Sequence, residues 1–508
     1  MSAGLKLSIV TLMIAAFTIG TDFTGALLLV PRIENAFGAD ITTTQWVLNI
    51  YALVFAMGMV AGGRLGDMYG RRRFLLIGLG VFIVASLACL FSPSIGWLIG
   101  ARALQGVGAA LMWPCILAYG ATIGPEDDRG LVMGLVLAGV TGGNVIGPLI
   151  SGIVVSLGDW RLFFLVNAVL ACTAAVLVSR VLPKERLEKA TERIDVAGIA
   201  TLSLATFALL YALDVGADRG WSSTPILGLF ALFVFLLVVF PFVEKRVSDP
   251  TVPIALMRNR EFTLALSTNA LLVPAIFIAF LYFPQYLQKV LGWSVLEASV
   301  GMMPLMVLLS VGSIVSGRYY KVYGPKRLLL TGYTLVTLGG ASVLFVDSAW
   351  GYYGLLPAML LIGFGASIAV GSAGTATVSA VSPKRAGLAG GLSFMLHLTY
   401  GAIGVAVATA IMYATNLSSL AAGLVQAGIK MSAADQSVLS GGSVNTDAAR
   451  SVLSNFSAAD SEKVRVVLSD AFTHGMSFAY WPAVISAAIG IFVVLAIDEE
   501  KLQAVKDQ

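Results

Sequence analysis

Long apolar runs separated by short polar connections dominate the chain from end to end. Each run is long enough to cross the hydrocarbon core of a bilayer as a helix, which takes about 20 residues. The pattern predicts an all-α integral membrane protein with fourteen transmembrane helices. The predicted helices cover residues 7–30, 45–63, 74–91, 97–123, 130–157, 161–181, 195–215, 225–243, 262–288, 296–316, 328–346, 352–380, 388–413 and 476–497.

The composition agrees with this class and excludes several others. Hydrophobic residues make up 58% of the 508 positions and charged residues only 12%, which excludes a soluble globular protein. The net charge of +4 is too small and too widely spread to indicate a nucleic-acid partner. The sequence contains no Gly-rich phosphate loop, and its two histidines and three cysteines form no metal motif. We therefore expect no enzymatic activity, no cofactor and no metal, in a protein surrounded by the lipid bilayer.

Basic residues between the apolar runs predict the orientation. Lys and Arg cluster in alternate connections, of which Arg71 to Arg73 are an example, whereas the short connections on the other side hold only Arg32, Arg161, Arg219 and Lys289. Short basic connections stay in the cytoplasm. Both termini are therefore predicted to be cytoplasmic, and the protein is expected in the plasma (inner) membrane.

The longest connection, residues 414–475, lacks a run of spanning length and is predicted to lie outside the cell. A loop of this length is either functional or mobile. We expect a mobile or weakly helical segment, in which residues 420–429 and 457–471 form short helices at the membrane surface.

One short connection, residues 63–73, is unusually constrained and reads G-R-L-G-D-M-Y-G-R-R-R. Gly63 and Gly70 allow close helix approach and a turn with positive φ. Asp67 can pair with a neighbouring arginine or with a helix end. A second stretch at 317–327, G-R-Y-Y-K-V-Y-G-P-K-R, repeats the glycine spacing 254 residues later, since 317 minus 63 is 254. A plain cytoplasmic turn would need no second copy, so the repeat favours a functional motif.

The pattern G-x-x-x-D-x-x-G-R-R-R resembles motif A of the major facilitator superfamily, whose two halves are repeats of one helical bundle. Eight predicted helices separate the two copies instead of six, so two extra helices lie between the halves. This arrangement is similar to the fourteen-helix drug:proton antiporter branch of the family. The resemblance implies a six-helix bundle over residues 1–181, a linker with the two extra helices over 182–261, and a second bundle over 262–508. We expect a monomer whose partners are protons and a small-molecule substrate.

Two charges inside predicted helices are candidates for proton coupling, since a charge at the bilayer centre costs about 2.5–3.5 kcal/mol on insertion scales. Asp22, in T-D-F-T-G-A-L-L-L-V-P, resembles the acidic residue of the family's first-helix motif. We expect it to take up and release the coupling proton in a low-dielectric cavity. Arg102, in L-I-G-A-R-A-L-Q-G-V-G-A-A, resembles the arginine of motif B, which is implicated in coupling, and Asp22 is its possible partner. Each residue also has a structural alternative. Asp22 could be the partner of a hydroxyl group or a helix end, and Arg102 could be a structural clamp.

Residues 143–152 read G-N-V-I-G-P-L-I-S-G and resemble motif C, the pattern associated with antiporters. Pro148 removes a backbone hydrogen bond and opens a kink, while Gly143, Gly147 and Gly152 allow close helix contact. We expect these residues, with Gly63, Asp67, Gly70, Arg71 and Arg73 of motif A, to act in gating as the halves rock. The alternative is a kinked packing helix without a gating role. The resemblance to motif C favours export over uptake.

His397, in L-S-F-M-L-H-L-T-Y, departs from the pattern of this family, which more often has another polar residue there. It is either a hydrogen-bonded structural residue or a second titrating group in proton coupling.

A substrate cavity needs apolar and aromatic walls with a few polar groups. In the fold that the resemblance implies, eight candidate contacts fall on cavity-lining helices: Trp113, Asn144, Asn269, Phe283, Tyr286, Gln288, Met395 and Tyr400. Aromatic side chains in membrane helices also pack or face lipid, so each of them remains a candidate.

Together these features predict a proton-coupled antiporter that exports lipophilic or amphipathic small molecules by alternating access. Protonation of Asp22 from outside would favour the return to the inward-facing state, and motif A would latch the cytoplasmic side. Two other functions stay open. The chain could be a dedicated exporter of one metabolite, lipid or vitamin, or a non-transporting scaffold or receptor that uses residues 414–475. Costly charges at Asp22 and Arg102 argue against the scaffold.

Overall fold

Helices are the regular elements of the described chain. The computed structural model describes residues 3–39, 41–125, 128–183, 194–382, 385–432, 435–436, 439, 451–454 and 456–499. The helices of this part are α1 (Ala3–Gly25), α2 (Val30–Phe37), α3 (Ile41–Tyr69), α4 (Arg71–Leu90), α5 (Ile95–Thr122), α6 (Arg129–Ser156), α7 (Leu162–Val181), α8 (Val196–Arg219), α9 (Thr224–Glu244), α10 (Ile254–Arg258), α11 (Arg260–Lys289), α12 (Val295–Gly301), α13 (Met303–Val343), α14 (Gly351–Ser379), α15 (Ala386–Gln426), α16 (Ala458–Ala479) and α17 (Trp481–Leu495).

Thirteen helical segments of the described residues are long and apolar enough to cross a membrane. One of them, Glu297–Val343, has 47 residues. At 1.5 Å per residue this is about 70 Å of helix, more than twice the thickness of the hydrocarbon core. Its backbone breaks at Gly324, where φ is +73°, so it supplies two crossings. The fourteen crossings expected from the sequence are therefore present, and the all-α membrane fold is confirmed.

The last glycines of the two repeated motifs break the helices at equivalent points. Gly70, between α3 and α4, has φ +102°, and Gly324 lies 254 residues later with φ +73°. A side chain with a Cβ is strained at positive φ, whereas glycine is not. The sequence repeat therefore marks the same turn in two related pairs of helices.

Two groups of helices form the bundle, and two seams join them. Helices α1 and α3–α7 pack on one another, as do α11 and α13–α17, and the groups meet where α3 contacts α15 and α6 contacts α13. Helix α8 lies along the first seam: Ser203 donates to the Met57 carbonyl at 2.9 Å and Thr206 to the Met395 sulfur at 3.6 Å. Helix α9 packs on α8 and is otherwise largely exposed. The domain limits drawn from the sequence remain predictions.

The connection expected over residues 414–475 is strongly helical where it is described. Helix α15 continues past residue 413 to Gln426, and α16 begins at Ala458. Leu420 and Leu424 of α15 share a buried cluster with Val464 and Ala471 of α16.

The helices expected over residues 420–429 and 457–471 are therefore present in part, as the end of α15 and within α16 and not as short separate helices. The expectation of a weakly helical segment is wrong for the described part of this connection. Polar and small residues lower its hydropathy below that of a spanning run, but apolar residues four positions apart still form a stripe on each helix. Residues 433–434, 437–438, 440–450 and 455 of the connection, and 184–193 of the predicted linker, lie outside the described residues.

Cysteines at Gly423 and Val467 should link α15 to α16 by a disulfide. A Cβ on Gly423 would lie 3.6 Å from the Val467 Cβ, and disulfides have Cβ atoms about 3.5–4.5 Å apart. With the natural cysteines replaced by alanine, we expect mass spectrometry to find linked tryptic peptides that reductant separates. The control pairs Gly423→Cys with Val466→Cys, because Val466 is 53% exposed. Equal linkage in both pairs would contradict the packing of α15 on α16.

Candidate functional site

Asp22 of α1 and Arg102 of α5 form a buried ion pair. Nη1 of Arg102 donates to Oδ1 and Oδ2 of Asp22 at 2.9 and 2.7 Å. The two side chains are only 1% and 0% exposed. The contact that the sequence left open is therefore made, and it lies away from both water and lipid.

Neighbouring helices complete the hydrogen bonding of both charges. Gln105 and Asn167 donate to Oδ1 of Asp22 at 3.1 and 2.8 Å. Arg102 donates to Oε1 of Gln105 at 2.7 Å and, through Nε, to the Val47 carbonyl at 2.9 Å. A buried ion pair is tolerated when such bonds satisfy its remaining donors and acceptors. These contacts bring α1, α3, α5 and α7 together around one point.

Three members of this network are missing from the sequence-based site: Gln105, Asn167 and Tyr51. Gln105 follows Arg102 by three positions and so shares its helix face, and Asn167 interrupts an apolar run, so both leave a signal in the sequence. Tyr51 leaves none. Its ring centroid lies 4.3 Å from Cζ of Arg102, a cation–π distance that depends on how α3 packs against α5.

Asp67 joins the two halves at the end of the bundle that contains residues 63–73 and 317–327, here named the motif A end. Its Oδ1 accepts from Nη2 of Arg71 at 2.9 Å. The backbone N–H groups of Gly387 and Leu388 donate to its two oxygens at 3.0 and 2.8 Å. These N–H groups open α15 and have no partner within the helix, so a carboxylate is favourable there. The sequence offered a neighbouring arginine or a helix end as the partner of Asp67, and Asp67 binds both.

Glycines allow the helices to meet closely at this end. Gly63 of α3 lies against the Gly387 carbonyl of α15, and Gly317 of α13 lies against the Gly130 carbonyl of α6. A Cβ at either position would force the helices apart. The two seams are therefore closed in the same way, but the position equivalent to Asp67 in the second copy, 254 residues on, is Lys321. Of the two motif copies, only the one at the α3–α15 seam has a carboxylate at this position.

The three consecutive arginines that end motif A have different surroundings. Arg71 is buried and also donates to Oγ1 of Thr122 at 3.2 Å. Arg72 donates to the Val178 carbonyl at 3.3 Å, and Arg73 is exposed. Of these three, Arg71 is paired with Asp67.

A cavity of about 620 Å³ lies between the two groups of helices, on the far side of the motif A contacts. It reaches Leu27 and Leu28, in the 3₁₀ turn that follows α1, and its size is typical of small-molecule sites. Its walls are mainly apolar and include the aromatic side chains of Phe23, Phe55, Trp113, Phe277, Phe280 and Phe394. The polar side chains are Thr24, Asn49, Thr141, Asn144, Gln288, Ser299, Ser313, Ser367 and His397.

Three of the predicted substrate contacts, Trp113, Asn144 and Gln288, line this cavity, as does His397. The other five are absent from the described residues that line it. They are placed as follows: Asn269 bonds to Ser393, Phe283 stacks on Tyr480, Tyr286 donates to the Gly351 carbonyl, Met395 accepts from Thr206, and Tyr400 is exposed. Position on a cavity-lining helix does not fix which face of that helix meets the cavity, because neighbouring helices set its rotation.

Motif C packs α6 against α1. Gly143 and Gly147 lie against the α1 backbone, where a Cβ would collide, and Pro148 lines the cavity. Among the described atoms, none lies within 4 Å of a Cβ built on Gly152. The close contacts of its glycines Gly143 and Gly147 therefore lie within the first half. Helix α6 reaches the other half through Gly130 and Gly134, nearer the motif A end, and through Thr141, which accepts a hydrogen bond from Ser310 at 3.0 Å.

Asp22 and Arg102 are not among the described residues that line the cavity, in contrast to the position expected for Asp22. The next two residues of α1, Phe23 and Thr24, do line it. The Phe23 ring centroid lies 6.5 Å from that of Tyr51, which in turn covers Arg102. The ion pair therefore lies directly behind the cavity wall.

Comparison with known families identifies the fold. A family model described as Major Facilitator Superfamily matches residues 12–405. The chain belongs to this family. It is a multi-pass membrane transporter, and its motif A, at Gly63 to Arg73, and motif C, at Gly143 to Gly152, occupy the places described above.

Similar proteins include resistance proteins of two Streptomyces species. The chain is 32% identical over 403 residues to the tetracenomycin C resistance and export protein of Streptomyces glaucescens, covering 78% of this chain and 74% of that protein. It is 33% identical over 405 residues to the puromycin resistance protein pur8 of Streptomyces alboniger, covering 78% and 80%. The human organic anion transporter MFSD10 (TETRAN) has a similar fold, with a TM-score of 0.61, 12% identity and coverage of 97% and 100%.

Removing the charge of Arg102 alone should destabilise this facilitator more than removing both charges of the pair. Arg102→Met leaves the Asp22 carboxylate buried without its cation, a change that typically costs about 3–5 kcal/mol. In Arg102→Met with Asp22→Asn, neither charge remains. We expect the single variant to have the lower midpoint when purified protein is heated and analysed by size exclusion. Arg73→Met, at an exposed position, is the control and should match the wild type. A double variant less stable than the single one would contradict the pairing.

Proposed function

We propose that this transporter exports lipophilic or amphipathic small molecules in exchange for protons, as a multidrug efflux antiporter. The observation that carries the proposal is the mainly apolar cavity of about 620 Å³ between the halves, with a buried ion pair directly behind its wall. The names of the two relatives support it, because both concern resistance to an antibiotic and one also concerns export.

The motif A end is proposed to face the cytoplasm. The basic residues that cluster at this end and in the other connections on that side support this orientation, with both termini inside the cell. The described conformation then faces outward, since Asp67 and the paired glycines close the inner side and the cavity lies beyond them. We place the protein, as a monomer, in the inner membrane.

Alternating access would move residues 1–181 against residues 262–508. Opening the inner side requires the separation of Asp67 from the first turn of α15 and the parting of the glycine contacts at both seams. The extra helices within 182–261 would follow the first seam, along which α8 lies.

Proton coupling is proposed to act through Asp22. In the described conformation its carboxylate accepts hydrogen bonds from Arg102, Gln105 and Asn167. A proton on Asp22 would cancel its attraction for Arg102 and leave the guanidinium with the Val47 carbonyl, Gln105 and the Tyr51 ring. Helix α1 would then be held less firmly against α5 and α7. Since the next residues of α1 line the cavity, this shift would reach the substrate site.

Loss of the Asp67 carboxylate should open the motif A end without removing the substrate site. Asp67→Ala removes the acceptor of two α15 N–H groups and of Arg71. With spin labels at Tyr69 and Arg385, double electron–electron resonance should show a new longer-distance population, and transport should fall while substrate binding persists. Glu297→Gln, an acidic position on α12 away from this end, is the matched control. An unchanged distance distribution in Asp67→Ala would contradict the latch.

Asp22→Asn should abolish gradient-driven transport in inverted vesicles. The amide keeps the shape of the carboxyl group but cannot exchange a proton, so a pH gradient should no longer drive accumulation of a fluorescent substrate. Asp460→Asn, an exposed acid at the start of α16, should leave transport unchanged. Full proton-driven transport by Asp22→Asn would refute its coupling role. If the wild type moves no drug either with or without a pH gradient, the proposed export of drugs is itself refuted.

A further inference from the structure

The chemistry of the cavity wall narrows the class of substrate. We propose that the cavity takes flat, uncharged aromatic molecules that carry a carbonyl group and an N–H or O–H group, and that it discriminates against permanent cations. This inference rests on the proposed function only for the idea that the bound molecule is transported cargo. Three features of the wall support it: the absence of charged side chains among the described residues, the arrangement of the aromatic rings, and polar atoms that lack a hydrogen-bonding partner.

Charged side chains are missing from the wall. No Asp, Glu, Lys or Arg occurs among the described residues that line the cavity. The carboxylate of Asp22 is 0% exposed and is already bonded to Arg102. A permanent cation that entered would lose its hydration without gaining a counter-charge, which is strongly unfavourable in a low-dielectric site. An uncharged molecule has no such penalty, so the wall favours neutral ligands.

Two titratable groups near the wall do not reverse this preference. His397 lines the cavity, but a protonated imidazole would repel a cation and a neutral one offers only a dipole. Asp214 of α8 accepts a hydrogen bond from Asn49 at its Oδ1, at 2.6 Å. It lines an adjoining pocket of about 300 Å³, which shares Phe23, Asn49, Phe277, Leu398 and Val405 with the cavity. Any cation binding through Asp214 can therefore be recognised by its loss in Asp214→Asn.

The rings in the wall form a continuous series across the seam between the halves. The centroids of Trp113 and Phe394 are 4.7 Å apart, and Phe394 stacks on His397 at 5.0 Å with an angle of only 8° between the planes. Phe277 meets His397 edge-on at 5.8 Å. All four side chains line the cavity. A flat aromatic ligand can extend such a series by offset or edge-to-face packing, which a bulky aliphatic molecule cannot.

Three polar atoms along this wall lack a hydrogen-bonding partner among the described residues: Nε1 of Trp113, Oδ1 of Asn144 and Nδ1 of His397. Buried polar atoms are normally paired, and leaving them unpaired is unfavourable. The Trp113 N–H requires an acceptor and the Asn144 oxygen requires a donor. A ligand with a carbonyl group and an N–H or O–H group on its rim satisfies both, which selects this class among neutral aromatic compounds.

Acridone and 10-methylacridinium test the proposal directly. Both are flat three-ring molecules, but acridone is neutral with a carbonyl and an N–H group, whereas 10-methylacridinium is a permanent cation. We expect the purified transporter in nanodiscs to bind acridone at least about tenfold more tightly in equilibrium dialysis, after correction with empty nanodiscs. Equal or tighter binding of the cation would overturn the proposal. Binding of neither compound would also overturn it.

Isosteric variants show whether charge is the determinant. Asn144→Asp and, at a second site, Gln288→Glu each add a carboxylate to the wall with little change of shape. Either change should raise the affinity for 10-methylacridinium relative to acridone by about tenfold or more. Trp113→Phe keeps an aromatic ring, although a smaller one, and removes the N–H donor; it should weaken the binding of acridone several-fold. Asp214→Asn is the control and should leave acridone binding unchanged. The proposal is overturned if neither carboxylate variant, Asn144→Asp or Gln288→Glu, gains affinity for 10-methylacridinium.

Equilibrium binding and transport can fail independently. Acridone binding without gradient-driven movement in proteoliposomes would support the substrate class and refute export. Export of 10-methylacridinium with strong binding of that cation would refute the substrate class and support export.

Discussion

A carboxylate and a guanidinium held together in the interior of the first half set the arrangement of the helices around them. Membrane helices gain little from the hydrophobic effect when they associate, so packing and polar contacts decide their positions. Around Asp22 and Arg102 those contacts come from α3, α5 and α7, and Gln105 extends them to Ser86 of α4 at 3.0 Å. A rotation of any of these helices would leave a charge or a dipole without its partner. The pair therefore fixes the rotation of several helices at once.

At the motif A end, helix packing depends on small residues. Close approach of α3 to α15, and of α6 to α13, is possible because glycine occupies the contact points on both partners. The two seams differ in electrostatics, since Asp67 stabilises the start of α15 whereas the repeat carries Lys321 at the equivalent position. A carboxylate at a helix N-terminus is favourable. Opening the first seam must therefore break the hydrogen bonds of Asp67 to the Gly387 and Leu388 N–H groups as well as the glycine contacts.

The sequence predicted the fold well because fold class depends on long apolar runs, and the repeated glycine motif located the extra helices. The prediction of helix ends failed where polar and small residues lower the mean hydropathy, as in the extension of α15 to Gln426 and the start of α16 at Ala458. The sequence also singled out Asp22 and Arg102, because charges in apolar runs are conspicuous, but it left the contact between them open. It could not place Tyr51 over Arg102, or turn Phe283 and Tyr286 away from the cavity, because helix rotation depends on packing between distant segments.

The separation of the ion pair from the cavity constrains how transport can be coupled. A substrate in the cavity does not touch Asp22 in this conformation, so the proposed exchange does not rest here on competition between substrate and proton for one carboxylate. The proposed link is conformational, through the part of α1 where Asp22 faces the network and Phe23 and Thr24 face the cavity. Such a link places no requirement on the charge of the substrate. An uncharged wall is therefore compatible with the proposed proton-driven export, because Asp22, the proposed proton carrier, directly precedes Phe23 of the wall.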